Sequence, residues 1–309
     1  HSPTNQITCM SLTETKIEAG QTSLNVFLMG DPASKPIVLI HGLRDSAKSL
    51  AYLASQLADN YYLVLPELRG HGDSQRFPSY NMPDLIGDLY HVVDRFTLGT
   101  CALLGHSLGG HIASRYAALF PEHVRSLILV EGLGPPNQKS LNQSDEVKAY
   151  RNNLISRSIN VNKNPKPISN LEEATNRLKR NNPRLDEAKA KTIAEFLTIE
   201  SENGLIWNFD AKVNGVFIGI SYAENEKFWQ EVSCPTCIVS GALSYEYWGK
   251  EMTTTNRPSH FQEGEMEERV NQFRQAEHHW FDQSGHMVHY DEPDRLANLC
   301  KKFLEEKYE

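Results

Sequence analysis

Long apolar runs, clustered cysteines and an excess of basic residues are all missing from this sequence. No apolar stretch approaches the roughly 18 residues needed to span a membrane, and the amino terminus is polar, without a signal-peptide pattern. With 39 acidic and 31 basic residues, the formal net charge is −8. Nucleic acids and anionic membrane surfaces attract basic faces, so the charge argues against both as partners. We expect a cytoplasmic protein, either a monomer or a homodimer.

Five cysteines are scattered along the chain, and their number and spacing argue against structural roles for them. An odd count in a chain of 309 residues does not indicate a disulfide framework. Cys234 and Cys237 form a C-x-x-C pair, but it leads directly into a strand pattern, with no following helix and no second pair for zinc. We therefore expect no redox role, no bound metal and no cofactor.

Short apolar runs alternate with helical patterns in the first part of the chain. The apolar runs read as buried strands, and the stretches between them place apolar side chains at helical spacing. The strand patterns cover 22–30, 36–41, 61–65, 101–104 and 124–130, and the helical ones cover 47–59, 83–96 and 108–120. Such alternation predicts an α/β fold in which helices cover both faces of a parallel sheet.

The alternation stops at Gly134-Pro135-Pro136 and resumes only after residue 231. Between them lie charged helical stretches, such as 171–179 and 186–199, and no buried strand pattern. Strand and helix patterns return at 236–241, 263–275, 277–282 and 293–307. We therefore predict a core formed by residues 1–136 and 232–309 and a helical lid formed by 137–231. Insertions emerge at the carboxyl ends of strands, where α/β sheets bind ligands; an unrelated helical appendage is the alternative.

Residues 105–109 read Gly-His-Ser-Leu-Gly, with an apolar strand pattern before them and a helical pattern after them. A serine can stand on such a tight strand-to-helix turn only if the residues two before and two after it are very small. The context therefore indicates a Gly-x-Ser-x-Gly nucleophile elbow, with Ser107 as the nucleophile.

The order of motifs resembles that of the α/β-hydrolase superfamily. His41-Gly42 follows a strand, 69–74 reads Arg-Gly-His-Gly-Asp-Ser, and the Ser107 elbow precedes the lid and a late Gly285-His286. The resemblance implies an eight-stranded, mostly parallel sheet and a Ser–acid–His triad. It implies that His286 is the base, with His289 as a less well placed rival. It also implies an oxyanion hole formed by the backbone N–H groups of Leu43 and Leu108.

The acid of the triad departs from the usual pattern of the superfamily. Most members carry Asp shortly after the strand that follows the lid, where this sequence has Ser244. Glu246, two residues further on, is one candidate. We favour Glu131, which ends the apolar run 127–130 and matches a subset of the superfamily with its acid after that strand. A structural Glu131 with another acid remains an open alternative.

Candidate pocket residues come from the same resemblance. His41, Gly42 and His106 adjoin the expected site, and the lid resembles that of bacterial esterase- and thioesterase-like members. In that lid, Trp207 and Phe209 are either core residues of the lid or a wall of the acyl pocket.

A serine nucleophile restricts the chemistry. With an alkyl substrate it would form an ether that water does not open readily, so dehalogenase chemistry is excluded and acyl transfer is expected. The resemblance therefore implies a carboxylesterase-like serine hydrolase of small-molecule esters or thioesters. Thioesterase activity, carbon–carbon bond hydrolysis and a non-catalytic ligand-binding protein are the alternatives.

Overall fold

The computed structural model describes residues 12–161, 166–252 and 258–309. Its main feature is an eight-stranded sheet with the spatial order β1-β2-β4-β3-β5-β6-β9-β10. The antiparallel pairs are β1 with β2 and β2 with β4, and the remaining neighbours are parallel. The strands are β1 Thr13–Ala19, β2 Thr22–Met29, β3 Lys35–Ile40, β4 Tyr61–Pro66, β5 Cys101–His106, β6 Val124–Val130, β9 Thr236–Gly241 and β10 Ala276–Phe281. The expected eight-stranded, mostly parallel α/β sheet is confirmed.

Helices follow most strands, as the alternating pattern predicts. They are α1 Ala51–Leu57, α2 Met82–Phe96, α3 Leu108–Leu119, α4 Gln143–Leu154, α5 Leu171–Asn181, α6 Glu187–Leu197, α7 Tyr222–Glu231, α8 Tyr245–Glu251, α9 Glu265–Val270, α10 Val288–Asp291 and α11 Pro293–Lys307. Several begin where a side chain accepts a backbone N–H: Asn81 caps α2, Asn170 caps α5 and Asp186 caps α6. No helix in the described ranges is long and apolar enough to cross a membrane.

Both faces of the sheet are buried, which explains the continuous apolar runs in its strands. Successive residues of a strand point to opposite faces, so Val38 and Ile40 belong to one hydrophobic cluster while Ile37 and Leu39 belong to another. Helices α2 and α3 pack on the first face, and α1 and α11 pack on the second. The expectation that helices cover both faces is confirmed.

Residues 137–231 connect β6 to β9, which are neighbours in the sheet. The described part of this segment contains α4 to α7 and a two-stranded hairpin, β7 Thr198–Ser201 and β8 Gly204–Trp207. The helical prediction over 186–199 is wrong at its end, because α6 stops at Leu197 and Ile199 pairs with Ile206. Thr198 and Ile199 are β-branched, and such residues fit a strand better than a helix.

The cysteines of the described ranges carry free thiols: Cys101, Cys234, Cys237 and Cys300. Burial raises the pKa of the Cys234 thiol to about 11, which disfavours the thiolate that redox chemistry uses. Cys9 lies outside the described residues.

Candidate active site

Three parallel strands of the sheet bring site residues to its carboxyl edge. Ser107 directly follows β5 and Glu131 directly follows β6, while His286 lies in the turn between β10 and α10. Strands β5 and β6 are neighbours, and β9 separates β6 from β10. This edge is where open α/β sheets bind their ligands.

The turn at Ser107 has the tight geometry that the glycines in the sequence indicate. Ser107 has φ 55° and ψ −119°, a conformation that L-residues rarely adopt. A Cβ added at Gly105 would lie 2.2 Å from the carbonyl oxygen of Gly109, and one added at Gly109 would lie 2.1 Å from that of Ile40. Larger side chains at either position would therefore push the backbones of the elbow apart.

Ser107, His286 and Glu131 form a continuous hydrogen-bonded relay. His286 Nε2 lies 3.0 Å from Ser107 Oγ, and His286 Nδ1 lies 3.0 Å from Glu131 Oε1. A carboxylate can only accept, so Nδ1 carries the proton and Nε2 accepts from the serine hydroxyl. The geometry therefore holds the histidine in the tautomer that can remove a proton from Ser107.

Glu131 is fixed by a second contact that sequence reasoning missed. Its Oε2 accepts a hydrogen bond of 2.8 Å from the N–H of Gly241 at the end of β9. The side chain is buried, and its backbone also has a positive φ, 48°. The adjacency of β6 and β9 produces this contact, and the sequence carries no local signal for it.

Glu246, the alternative acid, is bound elsewhere. Its carboxylate pairs with Arg184 at 2.6 Å and is about one-third exposed. Of the two candidate acids, the structure brings Glu131 to the His286 imidazole and leaves Glu246 in an ion pair with Arg184. His289 lies behind the relay, with its ring 4.5 Å from that of His106.

Leu43 and Leu108, whose backbone N–H groups we predict to form the oxyanion hole, both adjoin the site. Leu108 opens α3, and the first N–H groups of a helix have no partner within it. Leu43 lines the same cavity as Ser107. The loop that carries Leu43 is held by His71, whose Nε2 accepts a 2.9 Å hydrogen bond from the N–H of Arg44. Burial, aided by neighbouring His41, lowers the pKa of His71 to about 3, so this ring stays neutral and can accept.

A cavity of about 310 Å³ opens in front of Ser107. Its lining combines side chains of the sheet edge with side chains from the segment 137–231. The apolar part is formed by Leu43, Leu141, Phe217, Ile220, Trp248 and Met252. Besides Glu131, the charged residues Glu146, Arg157 and Glu251 also reach the cavity. This composition suits a mainly apolar small molecule that also carries a polar group.

The two histidines predicted as pocket residues, His41 and His106, form hydrogen bonds to the backbone behind the cavity. His41 is fully buried; its Nδ1 donates to the Gly42 carbonyl and its Nε2 accepts from the N–H of Leu68. His106 Nε2 donates to the carbonyl of His286 at 2.8 Å. Gly42 lies close to His106 and Ser107, since a Cβ there would lie 3.1 Å from His106 Nδ1 and from Ser107 Cβ. His41, Gly42 and His106 therefore support the residues of the site, and none of the three is among the residues that line the cavity.

Trp207 and Phe209, the two aromatic candidates from the segment 137–231, also lie away from the cavity. Trp207 packs against a small cluster around Ile168, Ala174 and Ala194. Phe209 packs on the main core, with its ring 6.4 Å from that of His71. Of the two sequence interpretations, the structure supports packing residues, because no surface of either ring is among the cavity lining.

Helix α8 brings aromatic side chains to the relay that no sequence motif predicted. The Tyr247 ring stacks on the His286 imidazole, with centroids 3.9 Å apart and planes inclined by 8°. Trp248 meets the same imidazole edge-on at 5.2 Å. Arg44 holds α8 in place through an ion pair of 2.6 Å with Glu251. Burial and nearby Glu251 raise the pKa of Tyr247 to about 12, so its hydroxyl stays protonated.

Comparisons with known proteins agree with this architecture. Residues 35–293 match the family described as alpha/beta hydrolase fold. A serine hydrolase-like protein of Danio rerio is 26% identical over 188 residues, which cover 60% of this chain and 58% of that protein. Esterase YbfF of Escherichia coli is 24% identical over 272 residues, which cover 88% of this chain and 93% of that protein.

A solved structure gives the same picture of the fold. The thioesterase domain from the curacin biosynthetic pathway superposes with a TM-score of 0.76 at 22% sequence identity. The match covers 94% of this chain and 99% of that one.

Proposed function

Because this chain belongs to the α/β-hydrolase family, we propose that it is a serine hydrolase that cleaves carboxylic esters of small molecules through an acyl-enzyme. The observation that carries the proposal is the relay of two 3.0 Å contacts from Ser107 through His286 to Glu131, which opens onto a cavity. The family membership supports a hydrolase; the triad, the ester substrate and the mechanism are our proposal.

The first half of the reaction forms the acyl-enzyme. Ser107 Oγ attacks the carbonyl carbon of the ester while His286 Nε2 takes the hydroxyl proton. The carbonyl oxygen becomes an oxyanion, which the N–H groups of Leu43 and Leu108 stabilise. The carboxylate of Glu131, bonded to Nδ1, balances the positive charge on the imidazole. The tetrahedral intermediate then collapses, and the alcohol leaves with the proton from His286.

The second half regenerates the enzyme by the same steps with water as nucleophile. His286 Nε2 takes a proton from water, whose oxygen attacks the acyl carbon bound to Ser107. The second oxyanion meets the same two amides, and on collapse Ser107 Oγ recovers its proton from His286. The acid product leaves, so each turnover consumes one ester and one water.

The segment 137–231 contributes to the proposed acyl pocket as a lid. Phe217 and Ile220 from this segment line the cavity together with Leu43 and Ser107. A mainly apolar wall favours an acyl chain or aromatic acyl group, and such a cavity covers most of a small ligand's surface. The esterase named among the relatives supports an ester over other acyl substrates. No carboxylate stands at the elbow, so alkyl-transfer chemistry of the dehalogenase type is not proposed.

The first prediction tests the nucleophile directly. A fluorophosphonate probe should label the protein at one site, and Ser107→Ala should abolish both the labelling and the hydrolysis of p-nitrophenyl esters. The phosphonate reacts only with a hydroxyl activated by a neighbouring base, because an ordinary serine is a weak nucleophile. Labelling is measured by intact-protein mass spectrometry and hydrolysis by the release of p-nitrophenol.

A matched control is Ser114→Ala, a buried serine seven residues along on α3, which should keep labelling if the variant folds. Absence of labelling in folded wild-type protein would identify a non-catalytic ligand-binding protein and end the enzyme proposal. Acyl thioesters of matched chain length belong in the same panel. A higher kcat/KM for thioesters than for oxygen esters would overturn the choice of substrate class while retaining the triad.

A further inference from the structure

A second cluster of polar side chains lies buried behind the relay. Asp45 follows Leu43 in the loop after β3, His106 ends β5, and His289 lies in α10. All three are at least nine-tenths buried, with exposures of 6%, 2% and 6%. One ligand atom from each lies within 4.8 Å of the others.

The candidate ligand atoms of this cluster face one another without hydrogen-bond partners among the described residues. His106 Nε2 must donate to the His286 carbonyl, which leaves a lone pair on Nδ1. Within the described residues, His106 Nδ1, Asp45 Oδ2 and both ring nitrogens of His289 are buried without a hydrogen bond. His289 Nε2 and Asp45 Oδ2 are 3.9 Å apart, which is too long for a hydrogen bond.

Other contacts orient the ligands, as the surroundings of metal sites usually do. Asp45 Oδ1 accepts from the hydroxyl of Ser49, which also bonds Tyr290 Oη at 2.9 Å. The His286 carbonyl fixes the tautomer of His106. A buried carboxylate with unsatisfied neighbours is unfavourable unless a proton or a cation balances it.

We infer that Asp45, His106 and His289 form a binding site for one divalent transition-metal ion of the zinc class. Two imidazole nitrogens and one carboxylate oxygen suit Zn²⁺ and Co²⁺, whereas Mg²⁺ and Ca²⁺ prefer oxygen ligands alone. Metal–ligand bonds of about 2.0–2.2 Å require the three ligand atoms to lie closer to one another than they do in this structure. Side-chain shifts of roughly 1 Å therefore accompany binding.

A second candidate group, formed by Cys237, Glu277 and His279, lacks these properties. His279 Nε2 already bonds Glu277 at 2.5 Å, and both residues are partly exposed. Burial raises the pKa of the Cys237 thiol, which disfavours the thiolate that binds metals. This group therefore serves as the internal control for the buried cluster.

Occupation of the site acts on the relay through His106. This residue precedes Ser107 in the chain and holds the carbonyl of His286, so drawing its ring toward a metal displaces both neighbours. On the proposed function, Zn²⁺ is therefore an inhibitor that lowers kcat. Metal binding itself does not depend on that function.

The test uses the full chain without a histidine tag, treated with a chelator and then titrated with Co²⁺ and Zn²⁺. We expect one ion per chain, with the visible absorption of low-symmetry Co²⁺ bound by nitrogen and oxygen, and displacement of Co²⁺ by Zn²⁺. Asp45→Asn and His289→Gln should each weaken Zn²⁺ binding at least about tenfold in calorimetry. His279→Gln should leave binding unchanged, and Mg²⁺ should not compete.

Ser107→Ala separates the two proposals, because it should bind Zn²⁺ as the wild type does whether or not the protein hydrolyses esters. Near-ultraviolet circular dichroism checks that each variant is folded, and either ligand variant suffices if the other fails to fold. The inference is overturned if the wild type binds neither ion, if binding survives both substitutions, or if Co²⁺ shows a thiolate charge-transfer band.

Discussion

The carboxylate of Glu131 makes two different hydrogen bonds, and each needs an acceptor oxygen. Oε1 accepts from the imidazole of His286 and Oε2 accepts from the N–H of Gly241. A carboxylate supplies both, whereas a carboxamide offers one acceptor and one donor. Position 131 therefore needs a side chain with two acceptor oxygens and a negative charge, and not only one of the right length.

Glu131→Gln is expected to lower kcat by about 10²- to 10⁴-fold with little change in KM. If the Gln carbonyl keeps the Gly241 N–H, its amide donates to His286 Nδ1 and forces the tautomer that cannot take the Ser107 proton. Steady-state kinetics on a p-nitrophenyl ester measure the loss. Glu246→Gln is the control and should stay within about threefold of wild type; a larger loss in that variant would reverse our assignment of the acid.

At the scale of elements, helix α8 acts as a support for the imidazole. Its seven residues present Tyr247 to the face of His286 and pair Glu251 with Arg44, the residue directly before Asp45. Arg157, in the π-helical turn Ile155–Ile159 that follows α4, also approaches Glu251 at 3.5 Å. Glu251 thus joins the loop after β3, helix α8 and the segment 137–231 at the edge of the cavity.

Tyr247→Leu is expected to lower kcat by about 2- to 30-fold. The ring face stabilises the imidazolium that forms during attack, and such contacts contribute about 0.5–2 kcal/mol. Tyr247→Phe keeps the ring and loses only a 3.4 Å contact between its hydroxyl and Arg44, so it should restore most of the activity. The measurement is the separate change in kcat and KM. Equal activity in the Leu and Phe variants would show that the stack has no part in the reaction.

At the scale of the whole molecule, Arg269 binds the backbone at the point where the chain passes from the sheet into the segment 137–231. This arginine of α9 is 1% exposed and donates to the carbonyls of Leu133, Gly134 and Pro135 at 2.8, 3.1 and 2.8 Å. Its guanidinium also lies 5.1 Å from the ring centroid of Tyr222 in α7. The core and the inserted segment therefore share one buried cation.

Arg269→Met is expected to reduce the free energy of unfolding by about 3–5 kcal/mol, because it leaves three carbonyls without their donor. Urea denaturation followed by fluorescence measures the change. Arg274→Met is the matched control; that side chain is 54% exposed and pairs with Glu231, so its loss should change stability by less than about 0.5 kcal/mol. Similar stabilities of the two variants would contradict the role given to Arg269.

How far the sequence predicts this molecule depends on how local each signal is. Ser107 could be predicted because the elbow needs its glycines and strand in one short stretch, and β3 to β6 because both faces of each strand are buried. Strand β1 was missed, since its exposed edge position leaves few apolar residues in it. Helix α8 is too short for a periodic pattern. The stack on His286 and the Asp45 cluster join distant parts of the chain, so no local sequence pattern predicts them.

Four non-glycine residues of the described ranges have a positive φ: Arg44, Ser107, Glu131 and Asn137. Three of them surround the proposed chemistry, and each such conformation costs about 1–3 kcal/mol. Glycine would relax the backbone at every one of them. Selection for thermostability alone would thus favour the loss of the nucleophile and the acid, and the rest of the fold must be stable enough to tolerate them. Substitutions that raise thermostability should therefore be made far from the carboxyl edge of the sheet. At such positions, added stability does not compete with catalysis.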